Sequence, residues 1–210
     1  MRIVYLHGFA SSPQSGKARF FAGRFGELGV PFCAPELEEG NFEGLTISGQ
    51  LRVVERAVAG QPVVLMGSSL GGYLAALYAA RNRVVEKLVL LAPAFQFPTR
   101  WRTRYTAEEL ERWRALGTIP FFHYGFNRER GLGFQMVEDA ARYEDEPAFE
   151  QPALVLHGRL DDVVPVELSK GFAKRHDNVT LRVVESGHAL TDVLDQLWVE
   201  TAAFLGFQSP

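Results

Sequence analysis

Gly67-Ser68-Ser69-Leu70-Gly71 sets two serines between glycines, where an apolar run gives way to a segment rich in alanine and leucine. A serine hydroxyl attacks a carbonyl when a neighbouring base takes its proton and fixed donors stabilise the oxyanion that forms. A serine on a tight strand-to-helix turn needs very small residues two positions away on each side, because the backbone doubles back there. That frame selects Ser69, flanked by Gly67 and Gly71, whereas Ser68 would need small residues at 66 and 70 and finds Met66 and Leu70.

The remaining parts of an acyl-transfer site follow in the order Ser, Asp, His. His188, in Ser186-Gly187-His188, is the candidate base. Asp161 and Asp162 are adjacent candidates for the acid that orients it, and the spacing favours Asp161, because Val164 and Pro165 would then open the next helix. The N–H of Leu70, in the first turn of a helix, is free to face an oxyanion. A second donor is expected from His7-Gly8-Phe9, most directly the N–H of Phe9 with Ala10 as its rival.

These residues need a scaffold that brings loop ends together. Nearly continuous apolar runs at 2–8, 62–68, 86–93, 152–158 and 180–186, with a weaker one at 30–37, read as strands buried on both faces. Helical spacing at 16–28, 45–59, 70–81, 165–175 and 190–205 alternates with them. Strand–helix alternation predicts a mostly parallel six-stranded sheet with helices on both faces, and sites in such sheets form beyond the carboxyl ends of the strands. Every candidate residue lies just after an apolar run.

Residues 95–150 break the alternation and hold about half of the aromatic residues. Thr106 and Glu109 form a capping box that opens a short helix, Gly117 stops it, and a second helix is expected over 134–143. The segment reads as a small helical cap inserted into one domain spanning 1–210. Phe95, Trp101, Phe121 and Phe122 are its candidate substrate-binding residues, with a satellite core as the competing account of the same aromatics.

Composition narrows the function classes. The formal net charge is −3 and no Lys/Arg tract dominates a segment, so nothing favours nucleic acid or an anionic membrane surface. The single cysteine, Cys33, excludes an internal disulfide and reads as a small core residue. The opening MRIVYLHGF lacks signal-peptide features, and no run of apolar residues is long enough to span a membrane, so a cytoplasmic location is expected. The five histidines show no metal-ligand spacing, and Ser15-Gly16-Lys17 fails as a phosphate loop because Ala18 follows the lysine. His7, His157 and His123 read as structural, and the cap arginines as a solvated surface interspersed with glutamates.

Taken together, LHGF, GSSLGG, HGRLDDVVP and SGH resemble the α/β-hydrolase superfamily, and LHGFASSPQSGKA with GSSLGGY resembles the small bacterial YqiA-like esterases. The resemblance implies a three-layer fold that begins at the superfamily's third strand. It also implies a triad of Ser69, Asp161 and His188 working without cofactor or metal on a small-molecule ester. Thioester or amide hydrolysis would use the same triad, and a non-catalytic binding protein on the same scaffold is the alternative from another class.

Overall fold

The computed structural model describes residues 1–207. Six parallel strands form the central sheet in the order β2-β1-β3-β4-β7-β8: β1 (Ile3–Leu6), β2 (Phe32–Cys33), β3 (Val63–Ser68), β4 (Val85–Leu91), β7 (Ala153–Gly158) and β8 (Val179–Val184). Every residue of β1, β3 and β7 is buried, which is why these runs lack polar alternation. Their side chains still alternate between two cores with the period of a strand. Val4, Leu6, Leu65, Leu88 and Val155 face one core, and Ile3, Tyr5, Met66, Val89 and Leu156 face the other.

Helices close both faces. α1 (Gly16–Glu27) and α8 (Leu194–Leu205) cover the second core through Phe21, Phe25, Leu197 and Trp198. On the opposite face lie α2 (Ile47–Val58), α3 (Leu70–Ala79) and α7 (Val166–Arg175). All ten residues of α3 are buried, so this helix is apolar on every side and lies within the molecule. Side-chain caps fix the starts of α1 and α2: Ser15 accepts from the Ala18 N–H and Thr46 from the Gly49 N–H.

After β1 the chain turns outward to β2, and after β2 it returns past β1 to β3. The order of strands therefore reverses between β1 and β3, the place where open α/β sheets form a crevice. The loops carrying Phe9 and Ser69 leave the sheet at that point.

The structure departs from the sequence reading in three places. β2 is two residues long, and the chain leaves the sheet before Pro35, which has no N–H to extend a ladder. The cap is not wholly helical. Between α4 (Phe97–Thr103), α5 (Ala107–Leu116) and α6 (Gln135–Ala140) it contains an antiparallel hairpin of β5 (Thr118–His123) and β6 (Arg128–Gly133). The third departure is α8, which starts at Leu194 rather than 190, because Leu190 has a φ of 56° and Asp192 is engaged by Ser186.

The cap sits against the loops that follow β1 and β7. The Tyr124 N–H donates to the Ala10 carbonyl at 2.8 Å, and the Arg100 guanidinium donates to the Val163 carbonyl. Trp113 ties its own layer together, its indole N–H donating to the Leu132 carbonyl at 2.9 Å. Among the described residues, no helix is long and apolar enough to cross a membrane.

Candidate active site

Ser69 links β3 to α3 with φ 54° and ψ −118°, a left-handed backbone that a serine adopts only where its surroundings enforce it. The enforcement is steric. A Cβ on Gly67 would lie 2.2 Å from the Gly71 carbonyl oxygen, and one on Gly71 would lie 2.1 Å from that of Leu6. Both clashes are with backbone and cannot be relieved by a rotamer change. Gly67→Ala is therefore expected to cost about 3 kcal/mol or more of stability, measured by denaturant unfolding.

His188 follows β8 and brings its Nε2 to 3.0 Å from Ser69 Oγ. Its Nδ1 lies 2.7 Å from Oδ2 of Asp161. With the carboxylate accepting from Nδ1–H, Nε2 is left free to accept the serine proton. The imidazole is partly open, at 22% side-chain exposure, while the Asp161 side chain is fully buried. The loop that carries His188 is held from several sides. Gly158 allows it to pass, since a Cβ there would lie 2.3 Å from the Ser186 carbonyl oxygen. Ser186 Oγ donates to Asp192, and Lys17 Nζ donates to the Ala189 carbonyl at 2.5 Å.

Asp161 is the carboxylate that the structure brings to His188; Asp162 is exposed. Asp161 Oδ1 accepts from the N–H groups of Val163 and Val164 at 2.9 and 2.7 Å. Its Oδ2 also lies 3.1 Å from His157 Nε2. Burial alone would raise this carboxyl, but hydrogen bonds from His157, His188 and the Val164 N–H outweigh burial and hold it well below the ordinary carboxylate range. His157 is itself fixed, with Nδ1 2.8 Å from Ser169 Oγ and Nε2 2.9 Å from the Val164 carbonyl oxygen. Its contact with Asp161, four positions along the chain, is a local bond of the structural kind expected of it.

Two backbone N–H groups lie on the loops that meet at Ser69. Among the described residues, neither the Leu70 nor the Phe9 N–H has a hydrogen-bond acceptor. Gly8 brings the second loop close, because a Cβ on it would be 3.5 Å from Ser69 Cβ. Lys17 was not anticipated at the site, for its contact joins positions 172 residues apart. Burial pushes its ammonium down to about 8, and the negative charge of Asp161 opposes that shift.

The four aromatic candidates divide. Trp101 and Phe121 stack at 5.6 Å, and both meet the ring of Phe9 edge-on, at 5.2 and 5.5 Å. Phe95 does not join them. It is completely buried and stacks on Phe172 of α7 at 4.2 Å, which makes it a core residue. Phe122 also lies apart from them, because strand alternation turns it to the opposite face of the hairpin from Phe121. It is 46% exposed and packs on Tyr124. Among the described residues, no group of three or more His, Cys, Asp or Glu side chains is placed to hold a metal ion.

Residues 2–205 match UPF0227, an uncharacterised protein family. The chain belongs to UPF0227. This is the YqiA-like family to which the opening loop and the serine turn pointed. No curated protein matches the sequence. Among solved structures, this UPF0227 chain is similar to Est1E from Butyrivibrio proteoclasticus with ferulic acid bound, at 22% identity and a TM-score of 0.78 over 97% of this chain and 90% of that one. Mouse alpha/beta hydrolase domain-containing protein 10 superposes with a TM-score of 0.81 at 21% identity, covering 97% and 88% of the two chains. MGS-MChE2, an alpha/beta hydrolase enzyme from a lagoon-sediment metagenome of Mar Chica, Morocco, gives 0.69 at 20% identity, covering 99% and 92%. At these identities the likeness establishes the fold, and the fold of this UPF0227 chain is that of the α/β-hydrolases.

Proposed function

We propose that this chain is a serine hydrolase that cleaves carboxylic esters through an acyl-serine intermediate. The observation that carries the reading is the relay from Ser69 Oγ through His188 to a buried Asp161, at 3.0 and 2.7 Å, built on a strained strand-to-helix turn. In the proposed reaction His188 Nε2 takes the Ser69 proton as Oγ attacks the ester carbonyl. The oxyanion is met by the Leu70 and Phe9 N–H groups. His188 then gives its proton to the leaving alcohol as the tetrahedral intermediate collapses. Water, deprotonated by the same imidazole, releases the carboxylic acid and restores Ser69. Asp161 holds the imidazole in the tautomer that leaves Nε2 unprotonated.

The substrate's apolar portion is assigned to the wall formed by Trp101 and Phe121. That wall adjoins Phe9, whose N–H is the second proposed donor, so an apolar group there would sit beside the reacting carbonyl. Ferulic acid bound to Est1E, a protein of similar fold, is itself an aromatic carboxylic acid, in keeping with such a wall.

The test is turnover of p-nitrophenyl esters of graded acyl length, alongside labelling of the protein by a fluorophosphonate. Turnover with label on Ser69 is the expected result; neither turnover nor label would overturn the reading. Trp101→Leu removes part of the wall. It is expected to raise kcat/KM for an octanoate ester relative to a butyrate ester by about tenfold, the scale on which apolar pockets discriminate chain length. An unchanged ratio with a lowered melting temperature would make Trp101 a packing residue only.

A further inference from the structure

A buried ionisable pair outside the triad joins the cap hairpin to the segment after β2. His123, at the end of β5, places Nε2 2.8 and 2.9 Å from the two carboxylate oxygens of Glu38, and the side chains are only 1% and 3% exposed. The Phe126 N–H donates to His123 Nδ1 at 3.3 Å, so Nε2 carries the proton and donates to Glu38. Burial raises the Glu38 carboxyl, against the opposing hydrogen bond from His123. Apolar side chains of similar volume would hold two surfaces together as well or better. What the pair adds is direction, since it sets the position of the hairpin tip.

The tip and the segment that carries Glu38 grip the same loop from two ends. The Leu37 N–H donates to His7 Nε2 at 3.2 Å, and His7 Nδ1 donates to the Gly8 carbonyl at 2.9 Å. At the other end, the N–H groups of Tyr124 and Gly125 donate to the Ala10 carbonyl at 2.8 and 3.4 Å. Ala10 has a φ of 51°, a backbone that alanine keeps only while its surroundings over-determine it. Phe9 lies between the two grips, its ring also packed on Phe42 at 5.4 Å.

We infer that Glu38 and His123 are positioning residues for the oxyanion-binding loop: by fastening the hairpin tip to the segment after β2, they hold Ala10 in its strained backbone and Phe9 N–H aimed at the reacting carbonyl. This deepens the acyl-transfer reading and rests on it. Released from the tip, Ala10 relaxes toward negative φ and carries the adjoining Phe9 peptide away from Ser69. Neither side chain of the pair needs to touch substrate.

Two variants separate positioning from stability. Glu38→Met combined with His123→Phe replaces the pair by apolar groups, leaves no charge buried alone and removes the directional bond. Gly125→Ala keeps both members of the pair but adds a Cβ 3.1 Å from the Ser11 carbonyl oxygen, Ser12 Cβ and His123 Cε1, which shifts the tip and the His123 ring away from the loop. For each, kcat and KM are measured with p-nitrophenyl acetate below its melting temperature, together with amide hydrogen exchange over residues 7–12. The double variant is expected to lose about 10²-fold in kcat, the scale of one lost oxyanion donor, and Gly125→Ala about tenfold. KM should stay within about threefold, because the donor acts on the transition state. Exchange over the loop should quicken in both. Wild-type kcat and exchange in folded variants would overturn the inference. Absence of turnover and of fluorophosphonate labelling in the unmodified protein would instead overturn the acyl-transfer reading, and the exchange measurement would still decide whether the pair clamps the loop.

Discussion

Ser69→Ala is expected to lower ester turnover by about 10⁵–10⁶-fold, or roughly 7–8 kcal/mol of transition-state stabilisation, and to abolish fluorophosphonate labelling. The fold should survive, because alanine keeps the Cβ and the strain at position 69 is enforced by backbone contacts around Gly67 and Gly71 rather than by the hydroxyl. No side-chain cap is lost either, since Ser69 Oγ makes no capping bond to α3. Ser68→Ala is the control. Ser68 is 4% exposed and ends β3 within the sheet, so its loss should leave turnover within a few-fold of the parent. Initial rates with p-nitrophenyl butyrate, with thermal unfolding of the same samples, make the comparison. Equal losses at 68 and 69, or a Ser69→Ala protein that still turns over, would remove the nucleophile from the proposal.

Much of this arrangement was legible because backbone sterics write it into local sequence. The two glycines around Ser69 select one serine from two, and the structure shows the clashes that make them necessary. Continuous apolar runs announced a doubly covered sheet, and loop ends after β3, β7 and β8 then located Ser69, Asp161 and His188 together. The cap was legible only in part. Its capping box at Thr106 and Glu109 is local and was readable. The hairpin was not, since Thr118–His123 contains Pro120 and consecutive phenylalanines, and β6 ends in Gly131-Leu132-Gly133, with little of the alternation that marks strands. Partners distant in sequence were equally hidden. Glu38 and His123 lie 85 residues apart, and nothing around either residue names the other. Phe95 and Phe122 show the same limit: an aromatic type is visible in sequence, but the face it turns toward is set by α7 in one case and by hairpin register in the other.

Asp161→Asn should lower turnover on the order of 10⁴-fold, and Asp162→Asn only slightly. The reason lies in the hydrogen-bond inventory around the carboxylate. All its partners are donors: the Val163 and Val164 N–H groups on Oδ1, and His188 Nδ1–H with His157 Nε2–H on Oδ2. An asparagine has one oxygen and must turn its NH₂ toward one of these pairs. Keeping the backbone bonds sets that NH₂ against His188, which then accepts at Nδ1 and carries its proton on Nε2. In that tautomer the imidazole cannot take the Ser69 proton. The opposite flip leaves two backbone donors in the Val163 turn without an acceptor, loosening the loop that fixes the ring. The exchange also has a signature apart from rate. Because the Asp161 carboxyl is held below its ordinary value, its ionised form stabilises the fold above about pH 4, and that contribution is lost as pH falls through the depressed folded value. Asp161→Asn should therefore be less stable near neutrality and show a shallower loss of stability on acidification, measured by unfolding between pH 2 and 7. A parallel fall in activity for Asp161→Asn and Asp162→Asn would mean that the carboxylate works by general charge, since only Asp161 has these four donors.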